Sequence, residues 1–73
     1  MLAIKATDNM TTNDLSLLKV FRRAINLDIY YDLESFYNDI ISGNFKHYKV
    51  YKNKNKIEVK RKQDNELVFS IIE

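Results

Sequence analysis

A small α+β fold, two helices followed by a three-stranded antiparallel meander, is what the hydrophobic pattern of this chain predicts. Three observations carry that reading. Apolar residues recur at helical spacing between residues 12 and 42. After Gly43 the period changes to two. The breaks "NKN" and "QDN", built from residues that tolerate turn conformations, then divide the remaining chain into three short strands. At 73 residues the chain is expected to be one domain, 1–73.

Each element has a local reason. "MLAIKA" alternates at Leu2 and Ile4 and fits a short N-terminal strand, giving the order (β)ααβββ. The first helix is expected over 12–26. Thr11 with Asp14 three residues on matches a capping box, and Met10 and Leu15 stand where a hydrophobic staple would form. Leu17, Leu18, Phe21 and Ile25 share one face, and Lys19, Arg22 and Arg23 fall in the later turns, where the helix dipole favours cations. In the second helix Asp32 is the N-cap, Glu34 lies in the first turn and Gly43 fits the position after the last turn. Its apolar face is Leu33, Phe36, Tyr37, Ile40 and Ile41.

The strands "FKHYKVYK", "KIEVKR" and "ELVFSIIE" follow. Alternation through the first places Lys46, Tyr48, Val50 and Lys52 on one face and Phe45, His47, Lys49 and Tyr51 on the other. The last strand is apolar at Leu67, Val68, Phe69, Ile71 and Ile72, so it is expected in the middle of the sheet, or covered on both faces, with residues 1–6 paired beside it.

Composition narrows the function. The chain has no Cys, which removes disulfides and thiolate metal sites. One Gly leaves no glycine-rich phosphate loop. His47 is the sole His, and no Ser or acid is placed to complete a catalytic triad with it. The acids of residues 28–39 lie on a connector and a helix flank, not at converging positions that would ligate a metal. No catalytic, cofactor-binding or metal-binding residue is therefore expected, and a non-enzymatic protein is. The N-terminus lacks signal-peptide features and no apolar run reaches the ~20 residues of a membrane span, so no membrane partner and a cytoplasmic location are expected. Lys, Asn, Ile and Tyr make 30 of the 73 residues, whereas Gly, Ala, Arg and Pro make 7. That bias matches AT-rich codons and suggests a low-GC bacterium or its phage.

The formal charge of +2 conceals segregation. Residues 26–44 carry −4 and residues 45–62 carry +7. Polarity of this kind bears on partners more than on fold. The acidic segment "NLDIYYDLESFYNDI" interleaves carboxylates with Tyr, an interface-rich residue, so Asp28, Tyr30, Tyr31, Asp32, Glu34 and Asp39 are candidates for binding a protein. The basic stretch supplies Lys46, Tyr48, Lys49, Tyr51, Lys52, Lys54, Lys56, Lys60, Arg61 and Lys62 for phosphates and stacked bases. Lys-rich hairpins also keep sheet edges soluble. The expectation is a small binding protein, in the first reading a phage or mobile-element modulator or inhibitor. It would occupy a host protein engaged in nucleic-acid transactions, in the host cytoplasm. The alternative is a small nucleic-acid-binding protein using hairpin 46–62, and a second copy of the chain is a further candidate partner.

Overall fold

The structure, a computed structural model, describes residues 2–27, 32–43 and 45–73, with the side chains of residues 41 and 42 outside that set. The elements run β1 (Ala3–Ala6), α1 (Thr12–Asn26), α2 (Leu33–Ser42), β2 (Tyr48–Lys52), β3 (Lys56–Arg61) and β4 (Leu67–Ile72). The sheet order is β1-β4-β3-β2, antiparallel throughout. The expected α+β order is present, with the N-terminal strand as a fourth member of the sheet. β4 is internal because it is the strand with most apolar surface to hide. Ile4 pairs with Ile71, which pairs in turn with Ile57, and Phe69 pairs with Val59. Residues opposite one another across antiparallel strands share a face, so these side chains form one apolar sheet surface.

Both helices cover that surface. Leu18 and Phe21 of α1, and Leu33, Phe36 and Ile40 of α2, form one core cluster with Ile57, Val59, Phe69 and Ile71. The ring of Phe21 is the hub, meeting Phe36, Phe45 and Phe69 edge-on at centroid distances of 5.6, 5.8 and 5.2 Å. Such edge-to-face pairs add about 0.5–1.5 kcal/mol each beyond the area they bury. Among the described residues no helix covers the other face of the sheet. β4 is thus interior to the sheet but covered on one face only.

Local capping follows the sequence closely. Thr11 and Asp14 form the reciprocal capping box, and Asp32 accepts from the Ser35 amide at 2.8 Å. Of the two residues expected to form a staple, Met10 packs against the core, whereas Leu15 stays 45% exposed. Gly43 departs from expectation. It caps α2 with φ −81° and ψ 139°, an extended conformation open to any residue. Its requirement is space, since a Cβ there would stand 3.2 Å from the Ile40 carbonyl oxygen and 3.3 Å from the Phe45 ring. The left-handed position falls instead at Asn65, φ 59°, in the β3–β4 turn.

Two further features depart from simple alternation. β2 begins at Tyr48, after a turn at residues 46–47, so Phe45 does not share the face of Lys49 and Tyr51 but packs inward on Phe21. A bulge shifts the β3–β4 register between Val59 and Lys60. It takes up one extra residue of β4, and Val68 is left 1% exposed within the core cluster. Thr7 secures the strand there, donating to the Val68 carbonyl from both its amide (3.1 Å) and its hydroxyl (2.9 Å).

Candidate functional site

The two sides of the β2–β3 hairpin hold different chemistry. On the helix-covered side, Tyr48 and Arg61 face each other across the ladder. Asp14, delivered by the first turn of α1, comes down between them. Its carboxylate is fully buried; Tyr48 Oη donates to Oδ1 at 2.6 Å and Arg61 Nη1 to Oδ2 at 2.7 Å. The Thr11 amide donates to the same Oδ2 at 2.9 Å. Arg61 is held further by Asp64, with Nε at 3.2 Å and Nη2 at 3.1 Å, and by the Asn9 carbonyl at 3.3 Å.

The energetics follow from that geometry. A lone buried carboxylate is costly, and it is retained here because every near neighbour donates to it. Burial by itself would raise the Asp14 carboxyl, but hydrogen bonds from Tyr48 and Thr11 and the Arg61 charge outweigh it and hold it below the ordinary carboxylate value. Tyr48 is pushed up to about 12 by its own burial and by donation to Asp14. No buried side-chain nitrogen or oxygen is left without a partner among the described residues. This cluster ties the start of α1 to the base of the hairpin.

On the opposite side the registers build an open surface. Lys5, Ser70, Glu58 and Tyr51 form one row across the four strands, flanked by Lys56 opposite Ile72 and by the pair Lys60 and Lys49. Lys60 Nζ stands 5.4 Å from the centroid of the Tyr51 ring, a cation–π contact. Lys56 reaches Glu58 at 3.8 Å. Tyr51 remains 43% exposed and belongs to an edge strand.

The residues expected to touch nucleic acid therefore separate into groups. Lys49, Tyr51, Lys56 and Lys60 come together on the open face. Lys54 is exposed at the hairpin tip, and Lys46 and Lys62 are exposed at its base. Lys52 lies on the helix side opposite Ile57, where its charge helps hold Asp32 low, after the hydrogen bonds Asp32 accepts from Ser35. Tyr48 and Arg61 turn inward to Asp14. Lys5 joins the open face from the other end of the sequence, a placement set by the β1–β4 pairing that β-alternation in the hairpin does not reveal. Of the acidic candidates, Asp32, Glu34 and Asp39 are exposed at the start of and along α2, on the helix-covered side of the sheet. Asp28, Tyr30 and Tyr31 lie outside the described residues.

Asp14 is the functional-looking residue that sequence reasoning assigned only to capping. Its burial needed the tertiary approach of Tyr48 and Arg61, 34 and 47 residues away. Among the described residues no His, Cys, Asp or Glu cluster is arranged to hold a metal ion. Nor is any described helix long and apolar enough to cross a membrane. No protein-family model, curated protein or solved structure matches this chain.

Proposed function

We propose that this chain is a non-enzymatic binding module whose helix-free sheet face docks a nucleic acid through its phosphates. The observation that supports it is the sorting of side chains by the sheet. The aromatic Phe45 and Tyr48 and the cation Arg61 serve the interior, while Lys5, Lys49, Lys56, Lys60 and Tyr51 are gathered on one uncovered surface. Lysines are point charges that neutralise phosphates without reading bases. Tyr51, at the sheet edge, offers one ring on which a base can stack. Binding is accordingly electrostatic and tolerant of sequence.

Fluorescence anisotropy with labelled single-stranded and duplex oligonucleotides tests the reading. If Lys5, Lys49, Lys56 and Lys60 each neutralise one phosphate of a single strand, log K falls against log salt with a slope of about −3. Affinity then drops roughly fifty-fold between about 50 and about 200 mM salt. Absence of binding to either oligonucleotide at the lower salt overturns the proposal.

A second reading keeps the first expectation from the sequence, a phage or mobile-element modulator that occupies a host nucleic-acid-binding protein. It is favoured by the exposed Asp32, Glu34 and Asp39, which present negative charge on the side away from Lys5, Lys49, Lys56 and Lys60. Capture of a host protein from nuclease-treated lysate, lost on Tyr30→Ala with Tyr31→Ala in a folded variant, supports it. Capture that survives that change counts against it.

A further inference from the structure

Two clefts meet beside the base of the hairpin. The larger, about 880 Å³, is lined by Asn13, His47, Tyr48, Arg61, Lys62 and Gln63, among others. The smaller, about 480 Å³, adds Leu17 and Val20 of α1 and shares Asn13, His47 and Tyr48 with the first. They form one groove, polar at one end and apolar at the other, and each cleft by itself lies within the size range of small-ligand sites.

Its floor is preorganised, because Asp14 fixes both Tyr48 and Arg61. Its walls are uncommitted, since the side chains of Asn13, His47 and Gln63 make no hydrogen bond or ion pair to another described residue. Arg61 is already committed to Asp14 and Asp64, which argues against a free anion as the main occupant. What the walls offer instead is amides. Each presents a donor and an acceptor side by side, the pairing that reads the edge of a nucleobase. Leu17, Val20 and the imidazole of His47 supply the surface a flat heterocycle packs on.

We propose that this groove is a nucleobase pocket, with Asn13 and Gln63 reading the base edge, that receives one base of a strand held on the lysine face. The inference rests on the reading of that face as a nucleic-acid interface, and it adds what the lysines lack, a preference among bases. The path between the two surfaces is short. Tyr48 and Lys49 are neighbours that point to opposite sides of an edge strand, so a strand can pass round the free side of β2. Lys62 stands at the rim for the adjoining phosphate.

Two measurements test it together: anisotropy with homopolymeric oligonucleotides of each base, and amide chemical-shift titration of labelled protein with each mononucleotide. The native protein is expected to prefer one homopolymer by about tenfold or more. Asn13→Ala with Gln63→Ala should compress that preference to within about twofold and leave the salt slope unchanged. The preferred mononucleotide should shift the amides of Asn13, His47 and Gln63. A preference that survives the double substitution overturns the pocket, as does the absence of any mononucleotide shift in the groove. If oligonucleotides do not bind but a mononucleotide shifts the groove, the pocket stands and the lysine-face reading falls.

Discussion

Tyr48 and Arg61 lie opposite each other on β2 and β3, and so, one step along the same strands, do Lys49 and Lys60. The first pair is closed over a buried carboxylate, with contacts of 2.6 and 2.7 Å. The second pair sets like charges side by side in water, an arrangement that is destabilising by itself and is relieved where Lys60 leans over Tyr51. Both pairs come from one basic stretch, and the charge of that stretch does not say which of its residues turn inward. The difference is made by α1, whose first turn brings a single acid to one side of the sheet only. A cation's role in this molecule follows from which side of the ladder it occupies.

The comparison breaks most readily at Asp14. Replacing Asp14 by Ala removes the side-chain half of the capping box, leaves the Tyr48 hydroxyl without its acceptor and leaves Arg61 with Asp64 and the Asn9 carbonyl alone, a loss of about 3–5 kcal/mol in urea unfolding. A loss below about 1 kcal/mol would show that the buried cluster contributes no more than an exposed ion pair. On the open side, Lys49→Gln with Lys60→Gln should change stability by less than about 0.5 kcal/mol and lower the salt slope of single-strand binding by about 1.5. Unfolding of that variant would mean that the lysine face is structural.

Tyr48→Phe sharpens the contrast further. It deletes one hydrogen bond to a charged acceptor, at a cost of about 1.5–3 kcal/mol, while Tyr51→Phe should be nearly silent in stability. A pH signature accompanies it. Because folding raises Tyr48 from 10.0 to about 12, the folded state keeps its proton longer than the unfolded chain does. The stabilisation is complete below about pH 10 and is lost as pH rises through about 12, and Tyr48→Phe should flatten that window. Asp14 acts in the opposite sense. Its depressed carboxyl stabilises the fold above the ordinary carboxylate range and ceases to do so as the pH falls through its folded value.

Much of the fold was legible because local rules agreed with one another. The bounds of α1, the Asp32 cap and the central place of β4 each follow from spacing, capping chemistry or apolar content. Where tertiary contact outweighed local pattern, the reading failed. Phe45 left its expected face for the ring of Phe21, and Gly43 serves close approach, not a left-handed turn. The candidate surface was legible as charge but not as geometry. Alternation scattered Lys and Tyr over both sides of the hairpin. The ladder, with Phe45, Tyr48 and Arg61 drawn inward, left a largely lysine side facing out.

Sequence alone determined the elements, their caps and the segregation of charge, since these depend on neighbours within a few residues. Only the tertiary structure decided that Asp14 is buried, that Lys5 joins the basic face and that Val68 turns inward at a bulge. Each of those depends on residues far apart in the chain being brought onto one side of a sheet. A one-dimensional pattern records which side chains alternate, but not which of the two sides a helix will cover.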